Sequence, residues 1–468
     1  MKKNVLFWPA LIAMLMVAIF DIWALSRHGT MGMLSMNLEL RLVFIAIGFI
    51  ALAAVLASVL GEWYKSQGRM RLGHHITIVS LILALPCLLG IPSAYAVLGG
   101  LAQPSIGDTP PQLFVTTSTG AYGLPDLAVT FNTAQATKNS LTWGKMPCAN
   151  DDEIITESKA TRTHAFLLAN LEPNTAYYYR LGNDAPYVFR TASINSTLHF
   201  AIGSDAHYGL AAQPTATCTE MLRQIADPQN AFDYLFLLGD ITHLGFFSSH
   251  WNKAFNELSQ ATAVIPVRLA PGNHDTMFSG FGNFLRYAYP NGLPLGSGGK
   301  LWTRLDIGRI HFFIIDLEWS AEAFTAEQAA WLENELKNTP ADDWKIVLGH
   351  GFTYASGFID GDWRRHDNPE TVPLLTPLFE RYGVDLVFSG HNHQMEILAK
   401  SGVTYVLCAP FGGALSNPRT YESPYSLWYE SGQYGFADVT IAGNKAEIIF
   451  RAPDGHEIYQ YSLVKGMN

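Results

Sequence analysis

The chain has 468 residues, 49% of them hydrophobic and 15% charged, with 30 Lys and Arg against 40 Asp and Glu. So apolar a composition can bury a core, which excludes intrinsic disorder, and at about 150 residues per domain the length suggests roughly three units. The first hundred residues hold seven basic and three acidic side chains, leaving 23 basic against 37 acidic for the rest; that acidic remainder lacks a basic footprint, so no nucleic-acid partner is expected.

Three apolar runs open the chain: Val5–Leu25, Leu42–Leu60 and Ile76–Leu98. Each approaches the ~20 residues a helix needs to cross a bilayer, which predicts a three-helix transmembrane module over residues 1–100. Lys2 and Lys3 resemble the n-region of a signal peptide, but the run that follows is too long for an h-region, and Ala94-Tyr95-Ala96 lies inside the third run. Lys2 and Lys3 precede the first run, and Lys65, Arg69 and Arg71 separate the second from the third. The positive-inside rule then predicts an integral membrane protein, as in a bacterial inner or plasma membrane. Its N-terminus would be cytoplasmic and everything after about Gly100 extracytoplasmic. A linker at residues 101–111 follows.

From residue 112 to 192 the pattern changes to short strands: Leu113–Thr117, Leu127–Asn132, Ser140–Trp143, His164–Leu168, Ala176–Leu181 and Tyr187–Thr191. Turn residues separate most of them at intervals of about ten, which predicts an all-β sandwich. The stretch Leu171-Glu172-Pro173-Asn174-Thr175-Ala176-Tyr177 resembles the tyrosine corner of fibronectin type III domains. Nothing in this segment looks catalytic, so a spacer or docking role is expected.

Beyond residue 197, apolar runs end repeatedly in metal-binding residue types. Leu198–Gly203 leads into Ser204-Asp205-Ala206-His207. Tyr234–Leu238 leads into Gly239-Asp240-Ile241-Thr242-His243-Leu244-Gly245. Val264–Ala270 leads into Gly272-Asn273-His274-Asp275. Ile346–Leu348 leads into Gly349-His350, and Val384–Phe388 into Ser389-Gly390-His391-Asn392-His393. Ala326–Leu336 and Thr376–Arg381 read as helices between them. An open α/β sheet brings its strand ends to one rim, and glycine beside the ligand types permits sharp turns and close approach. One carboxylate can bridge two cations, and imidazole with carboxylate suits Mn, Fe, Zn or Co. Of the four cysteines, Cys148, Cys218 and Cys408 follow the apolar runs; no C-x-x-C pair exists, and no disulfide can be chosen from spacing.

These five blocks resemble the calcineurin-like metallophosphoesterase superfamily: D-x-H, G-D-x-x-x-x-G, G-N-H-[DE], a later His and G-H-x-H. The resemblance implies a four-layer α/β/β/α sandwich over residues 197–468 with two divalent or trivalent metal ions. It implies that Asp205, His207, Asp240 and His393 bind the first metal. Asp240, Asn273, His350 and His391 would bind the second, with Asp240 as the bridge. His274 would be the non-ligand imidazole near the leaving group, oriented by Asp275. A fibronectin-like domain before this catalytic domain is similar to the layout of purple acid phosphatases. Those enzymes carry an iron-binding tyrosine three residues after the second-block Asp, where this chain has His243, and they lack the histidine of D-x-H, which is His207 here. The obligatory ferric ion therefore does not carry over.

The expected reaction is hydrolysis of a phosphate mono- or diester by an activated water, with His274 protonating the leaving oxygen. Arg364, Arg365 and His366 are the candidate anion-binding residues, a solvated loop being the plain alternative. Met277–Trp302, rich in Gly and aromatics, would wall the cleft or cover a sheet edge. His243 stands between a supporting role behind a ligand and an ordinary polar residue. The membrane runs make a lipid-linked or envelope-derived phosphate a reasonable substrate, a soluble periplasmic ester being the equal alternative. The competing classes are a membrane-anchored binding or adhesion protein with a structural metal site, and a membrane sensor.

Overall fold

The computed structural model describes residues 57, 59–79, 106–147, 152–194, 197–210, 215–277, 280–289, 300–360, 363–416 and 419–466. The chain divides into two units, residues 1–104 with 277–279, and residues 105–276 with 280–468.

In the first unit, residues 59–66 and 70–79 are helical, separated by a turn at Gly68. No helix among the described residues is long and apolar enough to cross a membrane. This corrects the expected three transmembrane helices and the integral-membrane placement. Among the described residues the physical reason is charge: the helical stretches carry Glu62, Lys65 and Arg71, with Lys65 paired to Glu62 at 2.7 Å. Val5–Leu25 and most of the other two runs lie outside the described residues. The preference for a lipid-linked substrate loses the support that placement gave it.

The second unit begins with strands β1 (Gln112–Thr119), β2 (Pro125–Thr137), β3 (Ser140–Lys145), β4 (Glu153–Thr156), β5 (Thr161–Leu168), β6 (Ala176–Leu181) and β7 (Tyr187–Arg190). β4-β3-β6-β7 form one antiparallel sheet. Its inward side chains Leu141, Trp143, Tyr177, Tyr179 and Phe189 pack in one core with Leu113, Val115, Leu127, Val129 and Phe166 from β1, β2 and β5. β4, an exposed edge strand without alternating burial, had no apolar pattern to reveal it. The Tyr177 hydroxyl accepts from the Glu172 amide at 2.9 Å, closing the corner. β1, β2 and β5 continue into the sheet that follows.

That sheet and its partner are built from β8 (Leu198–Gly203), α1 (Thr215–Ala226), β9 (Tyr234–Leu238), α2 (Ser248–Thr262), β10 (Val267–Ala270), α3 (Asn273–Thr276), α4 (Gly280–Ala288), β11 (Thr303–Ile307) and β12 (Ile310–Ile314). They continue with α5 (Ala326–Asn338), β13 (Trp344–Leu348), the hairpin β14 (Phe358–Asp360) and β15 (Trp363–Arg365), α6 (Thr371–Tyr382), β16 (Leu386–Ser389), β17 (Met395–Lys400) and β18 (Val403–Cys408). β19 (Ser426–Glu430), β20 (Phe436–Ala442), β21 (Lys445–Arg451) and β22 (Glu457–Val464) complete the chain. One sheet has nine strands in the order β22-β21-β20-β8-β9-β10-β1-β2-β5; the other has seven, β11-β12-β13-β16-β18-β17-β19. β1 runs parallel to β10 with Phe114 opposite Val267.

The two sheets share an apolar interior. Phe200, Ile202, Phe236 and Leu238 meet Phe312, Ile314, Ile346, Leu348 and Phe388 there. α1, α2 and α4 cover the outer face of the nine-stranded sheet through Met221, Leu222, Trp251, Phe255 and Phe284. α5 and α6 cover the other sheet through Leu332, Leu336, Leu375 and Phe379. β8, β9 and β10 are mutually parallel, as are β13 and β16, so each set delivers its carboxyl ends at one side. Cys218 and Cys408 are buried thiols donating to the Phe411 and Ser389 carbonyls.

Candidate metal centre

Each of the five blocks begins where a parallel strand ends. The chain must there turn out of the sheet and aim a polar side chain back across its rim. Asp205, His207, Asp240, His391 and His393 do so with φ of 59°, 50°, 50°, 69° and 48°. The left-handed region costs a non-glycine residue about 1–2 kcal/mol, and such strain persists where packing imposes it, commonly at functional sites. Glycine supplies the clearance. A Cβ on Gly390 would lie 1.9 Å from Ser204 Oγ and 2.6 Å from Asp205 Oδ2, and one on Gly413 would lie 2.7 Å from both the His207 and His393 rings.

The side chains converge into two adjoining groups. In the first, Asp205 Oδ1 is 3.2 Å from His393 Nε2 and 3.8 Å from His207 Nε2. His207 Nε2 is 3.1 Å from His393 Nε2 and 3.5 Å from Asp240 Oδ2. In the second, Asp240 Oδ2 is 3.4 Å from His350 Nε2. His350 Nε2 and His391 Nδ1 lie 3.2 and 3.1 Å from Asn273 Oδ1 and 3.2 Å from each other. Asp205, His207 and His393, and likewise Asp240, His350 and His391, are close enough to share a metal ion. Asp240 Oδ2 faces both groups.

The hydrogen bonds on the far side of each residue suit cations in these places. His350 Nδ1 donates to the Leu238 carbonyl at 2.7 Å, and His393 Nδ1 to the Ala414 carbonyl, so each Nε2 turns a lone pair inward. Asp205 Oδ2 accepts from Ser204 Oγ at 2.7 Å and the His391 amide at 2.8 Å, while its buried Oδ1 makes no hydrogen bond among the described residues. Asp240 Oδ1 accepts from the His274 amide at 2.8 Å, leaving Oδ2 for the centre. Inward-facing nitrogens and oxygens, nearly all buried, are the donor set of a hard or borderline metal.

Electrostatics follow the same plan. Burial opposes charge on Asp205 and Asp240, yet the surrounding imidazoles hold both carboxyls well below the usual carboxylate range. Burial pulls the His350 imidazole down, but the Asp240 and Asp205 carboxylates outweigh it and raise it to about 9. Burial lowers His207 to about 4.

His274 sits beside the first group, its ring 4.6 Å from that of His207, with Nδ1 2.6 Å from the His243 carbonyl. Asp275 does not orient it, which corrects the sequence expectation. Its fully buried carboxylate accepts instead from the Ile241, Thr242 and Gly272 amides at 3.2, 2.8 and 3.2 Å, and from the Thr242 hydroxyl at 3.0 Å. Burial, and then the Asp240 charge, push it up to about 7. Arg364 and Arg365 stand on β15, their side chains outside the described residues, and His366 lays its ring 4.7 Å from that of Tyr421. In the aromatic stretch after the third block, Phe284, Tyr287, Tyr289 and Trp302 are buried and Phe281 is exposed. Phe284 and Tyr287 pack on Trp251 of α2, so they serve the core. Sequence reasoning missed Trp319 and Phe352, whose rings lie 4.9 and 6.0 Å from that of His391. Neither falls in a repeating pattern, and an aromatic such as Phe352, although it follows Gly351, is not a metal-binding residue type.

Comparison with known proteins agrees with this geometry. Residues 198–395 match the calcineurin-like phosphoesterase family. Acid phosphatase type 7 of Mus musculus is 27% identical over 280 residues, covering 55% of this chain and 60% of that protein. Probable inactive purple acid phosphatase 24 of Arabidopsis thaliana is 24% identical over 315 residues, covering 59% of this chain and 49% of that one. The chain thus spans about half to three-fifths of the length of these relatives. A purple acid phosphatase structure from yellow lupin superposes with a TM-score of 0.63 at 18% identity, covering 76% of this chain and 74% of that one. Residues 198–395, which carry every Asp, Asn and His of both groups, therefore form a calcineurin-like phosphoesterase domain related to the purple acid phosphatases.

Proposed function

We propose that the protein is a metal-dependent phosphohydrolase acting on a phosphate mono- or diester, with a dinuclear centre. The observation that carries this reading is the single oxygen of Asp240, 3.5 Å from His207 Nε2 and 3.4 Å from His350 Nε2. A carboxylate oxygen between two ligand groups is the arrangement a bridged metal pair requires. Asp205, His207, Asp240 and His393 would hold one ion, and Asp240, Asn273, His350 and His391 the other. Imidazole and carboxylate suit Mn, Fe, Zn or Co. Two such ions, when bound, polarise a phosphoryl oxygen and ionise water near neutral pH.

The chain's own residues do the rest. His274 keeps its Nδ1 proton on the His243 carbonyl, which leaves Nε2 as the ring position for proton transfer to the leaving oxygen. Trp319 and Phe352 fix the plane of His391 from its sides. His243 stands where purple acid phosphatases have their iron-binding tyrosine, so no phenolate would reach the metals and the purified protein would lack the purple band.

The test is hydrolysis of an aryl phosphate monoester and of a bis-aryl phosphate diester by metal-stripped protein, with and without added Mn²⁺. Hydrolysis restored by the metal is the expected result. Stoichiometric metal binding without turnover of either ester would favour a structural metal site in a binding protein.

A further inference from the structure

Behind the first ligand group, the structure carries a third cluster: the rings of His207, His243 and His274 lie close enough that one nitrogen of each comes within 4.8 Å of the others. Its geometry follows from a short piece of paired backbone. Tyr208 and Thr242 form an isolated parallel bridge. The Tyr208 amide donates to the Ile241 carbonyl at 2.8 Å and the His243 amide to the Tyr208 carbonyl at 2.9 Å. The two blocks therefore leave β8 and β9 in a fixed register, which sets the ring of His243 against the far side of the ring of His207. His243 Nδ1 lies 3.4 Å from His207 Nδ1. His207 Nε2 points the other way, toward Asp205, Asp240 and His393.

We infer that His243 is a positioning residue with two separable tasks: its ring fixes the tautomer and direction of His207, and its carbonyl fixes those of His274. The inference rests on the dinuclear reading above. For His207 to offer the lone pair of Nε2, its ring proton must reside on Nδ1, where the only described acceptor is His243 Nδ1. An imidazole that binds metal generally donates its other N–H to a partner, which fixes the ring and raises its basicity. Here that partner is itself an imidazole, accepting at Nδ1. The second task is carried by main chain. His274 Nδ1 donates to the His243 carbonyl at 2.6 Å, so that contact survives any side chain placed at 243. The rings of His243 and His274 lie 5.4 Å apart and nearly parallel, 21° between planes, so they pack without competing for a proton. His243 is thus not a metal ligand in the place of a tyrosine. It lies one shell further out, because His207 already occupies the inward position.

Three measurements on the full chain test this. Mn²⁺ titration of the metal-stripped protein by calorimetry should find two sites in wild type. In H243F, affinity at one site should fall about 10–100-fold, the range for losing a partner behind a ligand. In H243Q, whose side-chain oxygen can accept from His207 Nδ1, affinity should largely recover. The dependence of kcat on leaving-group basicity should be the same in all three proteins, since His274 keeps its backbone acceptor. In Zn²⁺-loaded wild type labelled with ¹⁵N-histidine, His207 should be the Nδ1–H tautomer; that measurement needs no variant to fold. Wild-type affinity at both sites in H243F, or His207 as the Nε2–H tautomer, overturns the inference alone. Loss of one metal in H243Q as complete as in H243F makes His243 a ligand and overturns it as well. Wild-type protein that takes up no Mn²⁺ overturns the dinuclear reading, and this inference with it.

Discussion

Asp275 Oδ1 lies 2.8 Å from the amide nitrogen of Thr242 and 3.0 Å from its hydroxyl. With the Ile241 and Gly272 amides also on this carboxylate, the acid at the end of G-N-H-D is a clamp between two strand-end turns. Asp275→Ala should leave these buried donors without a partner. At about 1–3 kcal/mol for each buried group left unpaired, a loss of about 3 kcal/mol or more is expected in urea unfolding of the metal-stripped protein. An Asp275→Ala protein as stable as wild type, with the leaving-group dependence of a His274 variant, would restore the orienting role.

Asp240→Asn should abolish the shared charge while keeping the shape. Activity should fall by more than the about 10–100-fold typical of outer-shell partners, and metal content should drop below two ions per chain. Elemental analysis alongside the rate assay checks both. Full activity with two ions retained would remove Asp240 from the bridge.

His274→Ala should lower kcat by about 10²–10⁴-fold, the range for acid–base groups, with both ions still bound. The loss should shrink for aryl esters with acidic leaving groups, which depart without a proton. An equal loss for alkyl and nitrophenyl esters would exclude His274 as the acid.

Asp316 gives a pH signature. Burial raises its carboxyl to about 7, and Oδ1 has no hydrogen-bond partner among the described residues. A group whose pKa is higher folded than unfolded binds more protons in the folded state. Its contribution is therefore complete below about pH 4 and is lost as pH rises through the folded value. Asp316→Asn should match wild type near pH 4 and exceed it at pH 8 by about 1–4 kcal/mol in urea unfolding of metal-stripped protein. Equal stability of the two proteins at both pH values would contradict the assignment.

How far the sequence could be read depended on how local each feature is. The candidate metal-binding blocks stood out because each joins an apolar strand to a glycine-bounded turn, and both signals lie within ten residues. The partner of Asp275 was not, because its donors at 241 and 242 come from another strand end. Adjacent residues on a turn of helix diverge, so His274 beside it in sequence was a misleading neighbour. The N-terminal runs were legible as hydropathy, yet among the described residues no helix is long and apolar enough to cross a membrane, and the helical stretches there carry charge. The role of Trp319 depends on a loop meeting the β16 turn more than 70 residues later, which no period encodes.

The parallel pairing of β1 with β10 has a consequence for how the molecule comes apart. Gln112 Nε2 donates to the Phe255 carbonyl at 2.9 Å, the Tyr179 hydroxyl to the Ala263 carbonyl at 2.7 Å, and buried Arg268 to the Val115 carbonyl at 3.1 Å. Cutting the chain between β7 and β8 would strip β10 of a neighbour, bare a row of backbone donors and acceptors beside Val267 and Leu269, and leave Arg268 without that bond. A phosphoesterase fragment starting near residue 197 would carry a raw strand edge of the kind that templates self-association. Residues 105–468 should instead melt as one cooperative block, the β-sandwich serving as the selvedge of the sheet that carries the candidate metal centre.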